Sequence, residues 1–375
     1  MNRASLPLAI LPLIAGSVLV ALAVGGTEES VEDFEQRISP DMPIVEPPPE
    51  PELDARQEAL QNDLVALGEG FDGQLGIAVT QADTMATMAY NGDARMPQQS
   101  VTKLWVALAA MDAVDKGELD LSEPVTIGRT DLTLFHQPIR EIVKARGVYR
   151  TTYEDLIERA ITRSDNTAND RLLRRLGGPQ AAADFLADNR IEGVTFGEDE
   201  RTKQSAIAGL EWRQSFSVDK AFYEARDRVP DDRRRTAFEA YLANPSDGAT
   251  AQGIAQALAR LARGELLGEQ STDYILDVLQ KTRSGPRRLK GGVPLGWTFG
   301  HKTGTGQIYD GVQAGYNDIG ILTAPDGTDY TIAVLIGQTR AAYRDRMAMM
   351  QEVTRSVVRY HEGRAVSSPE AETTS

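Results

Sequence analysis

A serine and a lysine three residues apart, Ser100 and Lys103 in the run S-V-T-K, stand where an almost wholly apolar stretch, LWVALAAMDAV, begins. On a helix the i, i+3 spacing puts both side chains on one face. A lysine at the start of an apolar helix is partly desolvated, which lowers its pKa and lets the neutral amine take the serine proton. The pair is a candidate nucleophile and base, although a lone S-x-x-K is also how an ordinary capped helix starts. A second group, Ser164-Asp165-Asn166, falls between two amphipathic patterns, where each of its residue types would also cap a helix. A third, H-K-T-G-T-G at His301 to Gly306, closes a strand pattern; its glycines would admit a ligand close to the backbone or simply end the strand.

These groups need a frame. GQLGIAVTQADTMATMAYNGD alternates apolar and polar residues, so two strands open the folded body, with Asn91-Gly92 as the expected hairpin turn. From about 103 to 281 the patterns are helical. LWVALAAMDAV is apolar nearly all round and predicts a helix at the centre of the protein; YEDLIERAI, DRLLRRL, AAADFLADN and AQGIAQALARLARGEL have helical spacing. After 295 strands return in LGWTFGHKTG and in NDIGILTAPDGTDYTIAVLIG, folded across Pro325-Asp326-Gly327, and a helix from about 341 to 360 follows. The expected architecture is α/β: one antiparallel sheet with flanking helices, formed from both chain ends, plus an all-α lobe inserted between them.

The composition narrows the chemistry. Among 375 residues 55 are acidic and 40 basic, a net charge of −15 that disfavours nucleic acid as a partner. The absence of cysteine excludes thiol nucleophiles, disulfides, cysteine-held zinc and iron–sulfur clusters. With three histidines and neither G-x-S-x-G nor H-E-x-x-H, a histidine-based triad or a zincin has little support, and no metal or organic cofactor is implied. Much of the acidity sits in residues 27–54, which hold ten acids against Arg37 alone and six of the 18 prolines, the composition of an extended, self-repelling linker. Residues 1–26 carry one charge, Arg3, and an apolar run from Leu6 to Val24 that is long for a signal peptide and sufficient to span a bilayer. They read as an export signal, cleaved after Ala21-Leu22-Ala23 or retained as an anchor, which predicts a periplasmic body touching the membrane only through this segment. Residues 55–363 are the expected catalytic domain and 364–375 a disordered tail.

S-x-x-K, S-D-N and K-T-G in this order are the motif set of class A β-lactamases and penicillin-binding proteins. On these residues, and on SDNTANDRLLRRLGGP, GPRRLKGGVPLGWTFGHKTGTG and NDIGILTAPDG, the chain from about Gln74 to Tyr360 resembles the class A serine β-lactamases. The likeness is greatest to the PER- and VEB-type extended-spectrum subgroup, with Asp170 where other branches carry Asn. The resemblance implies that Ser100 is the acylated nucleophile, Lys103 a general base in acylation and Ser164 the hydroxyl that relays a proton to the leaving nitrogen. It implies that Asn166 binds the acylamide side chain, that Lys302 and Thr303 bind the carboxylate beside Gly304, and that the N–H groups of Ser100 and Thr305 form an oxyanion hole. Arg288 matches the arginine that reinforces carboxylate binding in that subgroup, although the adjacent Arg287 could exchange roles with it.

Following the family pattern from Leu176-Gly177-Gly178-Pro179 brings Glu200 to the place of the base that activates the deacylating water. Beyond it the chain departs from the pattern. Arg201 replaces a proline or small residue, Gln204 stands where an Asn or His helps hold the water, and an insertion containing DRVPDDRRRT separates Glu200 from Ala249-Thr250. The omega loop that aims the glutamate must therefore be rebuilt. Glu239 is a second candidate base, more simply explained as part of a solvated helix face. Glu198 and Asp199 crowd Glu200 and would raise its pKa. His136 is a rim or plain loop residue, His301 a strand residue near the pocket, and Trp212, Trp297 and Tyr223 are packing residues. The expected function is a serine β-lactamase acting on small β-lactams. The alternatives are a D-alanyl-D-alanine carboxypeptidase using the same constellation on a peptidoglycan stem peptide, and a tethered β-lactam receptor that does not turn over.

Overall fold

The structure is a computed structural model and describes residues 53–365. The expected export segment, the linker through residue 52 and the tail from 366 onward lie outside the described residues. The first half of the body comprises α1 (Ala55–Glu69), β1 (Gln74–Gln81), β2 (Thr87–Tyr90), β3 (Met96–Pro97), α2 (Thr102–Asp115), β4 (Pro124–Ile127), α3 (Ile139–Arg146), β5 (Tyr149–Thr152), α4 (Tyr153–Thr162), α5 (Asn166–Arg175) and α6 (Pro179–Asp188). The second comprises α7 (Glu200–Ile207), α8 (Ala221–Asp227), α9 (Asp231–Ala243), β6 (Gly248–Ala249), α10 (Ala251–Ala262), α11 (Glu269–Gln280), β7 (Thr298–Thr305), β8 (Ile308–Tyr309), β9 (Val312–Ala314), β10 (Tyr316–Thr323), β11 (Asp329–Thr339) and α12 (Tyr343–Ala365).

The main sheet follows the order β2-β1-β11-β10-β7 with antiparallel pairing throughout this path, so strands from both chain ends do share it. Successive side chains on a strand point to opposite faces. Ile77 and Val79 of β1 and Ile332, Val334 and Ile336 of β11 therefore meet Leu60 and Leu64 of α1 and Val353 and Val357 of α12. Ala78, Ala333 and Leu335 point the other way and join the core shared by α2, α10 and α11. α2 is buried from Thr102 to Met111, as its all-round apolarity predicts, and runs between α4, α5, α6 and α11. Each fully buried leucine on it, such as Leu104 and Leu108, contributes on the order of 1.5–3 kcal/mol.

Three local expectations need correction. β1 and β2 pair, but the connection between them is 82–86, where Gln81 N–H donates to Ala86 O (2.9 Å) and Met85 takes a left-handed backbone at φ +60°. Asn91, at φ +45°, uses the same tolerance after β2 to turn the chain toward β3. The helical lobe is not all-α: β4 pairs with β5, and β6 with β3. PVTI and YRTT are rich in β-branched residues, but four residues are too few to show a period beside long helical patterns. Finally, the described body opens on a helix, α1, and not on the strand pair, and the start of α1 is legible. The Asp54 carboxylate accepts the Arg56 and Gln57 N–H groups while the Gln57 side chain accepts the Asp54 N–H, a reciprocal cap that D-x-x-Q encodes.

One buried amide ties the sheet to the turn ahead of α2. Asn317 of β10 donates to Pro97 O (2.7 Å) and Gln98 O (3.0 Å), and its own oxygen accepts Ile336 N–H (3.1 Å). Asn317→Ala leaves Pro97 O and Ile336 N–H without this partner at about 1–3 kcal/mol each, while Gln98 O keeps the Val101 N–H (3.3 Å), so a loss of at least about 2 kcal/mol is expected in urea unfolding. An unchanged midpoint would mean that those groups find other partners.

Candidate active site

Ser100 lies in a single 3-10 turn, Gln99–Val101, that runs directly into α2. The turn is sharp because Gln99 holds φ +56°, a conformation costly for a residue with a side chain and kept only when its surroundings fix it. Here they do. Asp247 Oδ2 accepts the Gln99 N–H (2.8 Å), and the Gln99 amide donates to Tyr241 Oη (2.8 Å) and Ala314 O (3.1 Å) and accepts from Gln204 (2.9 Å). Lys103, one turn on, is fully buried, with Nζ 2.7 Å from Ser100 Oγ and 3.2 Å from Glu200 Oε1. Burial pushes its pKa down; Glu200 opposes this and Lys203 reinforces it.

The S-D-N group divides its labour. Asp165 is the helix cap that its residue type predicts, accepting the Thr167 and Ala168 N–H groups at the start of α5 and also that of Ile139. Ser164, at φ +56°, is turned out of the helix and accepts from Lys302 Nζ (3.0 Å). Asn166 donates to Leu134 O (2.9 Å). Lys302 is fully buried on β7, and burial holds its pKa well below the ordinary lysine value. Thr303 shares a hydrogen bond with Ser284 (2.7 Å). Of the two adjacent arginines, Arg287 is exposed, whereas Arg288 is buried over the Tyr316 ring (3.8 Å). The Arg288 guanidinium donates to Gly304 O (2.8 Å), Asn317 O (2.6 Å) and Thr305 Oγ1 (2.5 Å). The glycines of K-T-G-T-G serve the protein's own backbone: a Cβ on Gly304 would lie 2.3 Å from Gln98 O, and one on Gly306 would overlap Ala314 O. They let β7 press against the turn that carries Ser100.

Glu200 opens α7 and is buried. The expected upward pull of Glu198 and Asp199 on it is overturned. Asp199 is engaged as the cap of α7, and Glu198 accepts from Ser246 (3.3 Å). Burial would raise the Glu200 pKa, but Lys103 at 3.2 Å and Lys203 at 3.3 Å outweigh it and bring it to about 2. Its second oxygen accepts from Gln204 (3.4 Å), and its N–H donates to Asp170 Oδ1 (3.1 Å). Asp170 moves the other way, to about 7, driven by burial and then by the charges of Asp199 and Glu200. Glu239 is exposed on α9. His301 bonds Asp318 (2.8 Å) inside the sheet, while His136 lies on the cleft wall.

Ser100, Ser164, Asn166, Glu200, Thr303, Thr305 and Arg288 line one cleft of about 400 Å³, with Lys103 and Lys302 reaching it through the two serines. Its remaining walls include residues that motif reading passes over: Phe135, Ser284, Arg226 and Gln307. The segment between α7 and β6 supplies part of them. Phe222 packs edge-on with Phe216, Tyr223 and Phe135, and Arg201 stands over Trp212 (5.9 Å). Ser284 and Gln307 lie at the two ends of the stretch 285–306 that carries K-T-G; Lys203 and Asp247, 44 residues apart, form no local pattern. Among the described residues no group of three or more histidine and carboxylate side chains converges as metal ligands would.

A serine in contact with a buried lysine, a carboxylate on the same lysine, and a second buried lysine and an arginine beside the cleft are the arrangement that a serine acyl-transfer site requires. The Beta-lactamase enzyme family matches residues 57–361, and the chain belongs to that family. It is 26% identical to the extended-spectrum β-lactamase PER-1 of Pseudomonas aeruginosa, over 82% of this chain and 89% of that one, and 24% identical to β-lactamase VEB-1 of the same organism, over 77% and 86%. Among solved structures, a β-lactamase from Chitinophaga pinensis is 25% identical with a TM-score of 0.65, over 82% of this chain and 99% of that one. An ancestral class A β-lactamase is 30% identical with a TM-score of 0.62, over 80% and 99%. The protein is a class A serine β-lactamase.

Asp170 offers a test of the site's electrostatics. An acid whose pKa is higher folded than unfolded favours folding below its ordinary value of 3.8, and that advantage is lost as pH rises through about 7. Asp170→Asn keeps an acceptor for the Glu200 N–H and removes this penalty. The variant should be more stable than the wild type at pH near 7.5, by on the order of a few kcal/mol, and melt at a higher temperature there, with little difference near pH 4. Equal melting temperatures at both pH values would refute the raised pKa.

Proposed function

We propose that the chain opens β-lactams through a Ser100 acyl-enzyme and hydrolyses that ester with Glu200. The observation that carries this reading is Lys103, whose ammonium nitrogen touches both Ser100 Oγ (2.7 Å) and Glu200 Oε1 (3.2 Å), linking the nucleophile to a second base. In acylation Lys103, as the amine, takes the Ser100 proton while Oγ attacks the lactam carbonyl; the developing oxyanion is met by the N–H groups of Ser100 and Thr305. The C–N bond breaks, and Ser164 passes a proton to the leaving nitrogen from the lysine side. Asn166 holds the acylamide. Lys302, Thr303 and Arg288 hold the substrate carboxylate, with Gly304 letting the strand lie close and Ser284 orienting the Thr303 hydroxyl. Carboxylate binding also compensates Lys302, whose charge is disfavoured by burial until an anion arrives. In deacylation Glu200 takes a proton from water, hydroxide adds to the ester carbonyl, and Ser100 leaves with a proton returned to it.

Export is part of the same proposal: residues 1–26 act as a signal peptide or as an anchor, with 27–54 as the spacer. No helix of the described residues is long and apolar enough to cross a membrane. A peptidoglycan peptidase or a β-lactam receptor would not turn over a β-lactam acyl-enzyme with Glu200, and one variant separates them. Glu200→Gln in the full chain, given a chromogenic cephalosporin, should show one stoichiometric burst and a persistent adduct mass on Ser100, against sustained turnover and mostly free enzyme in the wild type. An unchanged deacylation rate would remove Glu200 from its role.

A further inference from the structure

Lys103 is not the only lysine on the general base. Lys203, three residues along α7 from Glu200, is equally buried, with Nζ 3.3 Å from Glu200 Oε1 and 3.0 Å from Asp247 Oδ2. Asp247 in turn holds the residue ahead of the nucleophile: its Oδ2 accepts the Gln99 N–H (2.8 Å) and its Oδ1 accepts the Tyr241 hydroxyl (2.8 Å). A second path returns to the base, since Gln204 donates to both Gln99 Oε1 (2.9 Å) and Glu200 Oε2 (3.4 Å). Glu200, Lys203, Asp247, Gln99 and Gln204 thus close a ring under Ser100 that does not pass through Lys103.

We propose that Lys203 is a positioning residue for hydrolysis: it pins the Glu200 carboxylate to the nucleophile turn through Asp247 and remains its counter-ion when Lys103 gives up a proton. The inference rests on Glu200 acting as the hydrolytic base. Lys103 exchanges protons with Ser100 during the cycle, so the strength of its hold on Glu200 changes from step to step. Lys203 has no such duty. Burial disfavours its charge, but Asp247 and Glu200 more than compensate and raise its pKa, so it stays an ammonium throughout. The two lysines and two carboxylates of this compartment balance in charge; when Lys103 is an amine, Lys203 is the cation left on Glu200.

The prediction is a change in pH profile. Lys103 of α2, Lys203 and Gln204 of α7 and Asp170 of α5 touch Glu200 directly. Lys302 of β7 lies within electrostatic range, Asp247 reaches it through Lys203, and Asp199 and Arg201 flank it on the chain. Removing Lys203 takes away one of the two nearest cations, so Glu200 should protonate at higher pH.

Lys203→Met alone leaves Asp247 buried without its ammonium and threatens folding, so Lys203→Met/Asp247→Asn, which removes one charge of each sign, is measured beside it. In the full chain, the acid limb of kcat for a chromogenic cephalosporin should move up by about one pH unit or more, and acyl-enzyme should accumulate at steady state as deacylation slows roughly tenfold, with acylation much less affected. Lys203→Arg should recover most of both. A folded double variant whose acid limb and acyl-enzyme fraction match the wild type overturns the inference. Glu200→Gln run in parallel keeps the two readings apart: if it traps no adduct, the assignment of Glu200 has failed, whereas if it traps adduct while the double variant behaves as wild type, only Lys203 has lost its role.

Discussion

Putting an ammonium out of water beside a serine hydroxyl is the constraint around which this protein is organised. Each buried ion costs several kcal/mol of hydration, and an unmatched one is not tolerated. Lys103, Glu200, Lys203 and Asp247 meet that constraint together: two charges of each sign, with the lone pairs left over filled by Gln99, Gln204 and Tyr241. The rest of the fold serves this compartment. α2 has to be apolar on every side because it carries Lys103 into the interior, and β7 has to touch the nucleophile turn so that Lys302 reaches Ser164.

The segment between α7 and β6, where the sequence leads one to expect a departure from the family pattern, is built to the same need. It is long but well anchored. Phe238 and Tyr241 of α9 pack with Ile207 and Ala314, while Phe216 and Phe222 pack with Leu134, Phe135 and Trp212. The charged run DRVPDDRRRT begins α9 and is spent largely on its solvent side, where Asp231 pairs with Arg235 one turn away (3.1 Å). The inward side of that helix contributes the Tyr241 hydroxyl, so a stretch that looks like surface in composition reaches the compartment beneath Ser100.

Chemistry that depends on short spacing was legible in the sequence. Ser100 and Lys103 are one helical turn apart, and S-D-N and K-T-G are contiguous, so their types and order announced the site; the sheet from both chain ends followed from the alternation in GQLGIAVTQADTMATMAYNGD and the apolar runs after 295. Chemistry that depends on tertiary approach was not. The pKa of Glu200 was misjudged because Glu198 and Asp199 are its neighbours in sequence, while the charges that govern it, Lys103 and Lys203, lie 97 and three residues away and meet it only in the folded state. Ser284, Tyr241 and Asp247 sit in stretches without a motif. On sequence alone the glycines of K-T-G-T-G suit either a ligand or a strand exit, and the atoms that Gly304 and Gly306 make room for, Gln98 O and Ala314 O, belong to the protein.

The nucleophile and its partners are scattered along the chain in a way that affects more than the finished site. Lys302 meets Ser164 across 138 residues, and Asn317 secures Pro97 across 220. Until β7 and β10 have been made and docked, Lys103 has its helix but the turn ahead of it has neither the Asn317 clamp nor the strand that completes the carboxylate floor. In a nascent chain S-V-T-K lacks these contacts, so the surroundings of Ser100 are not complete until nearly the whole folded body is available. Long-range closure of this kind is slow, and it makes activity a report on complete folding.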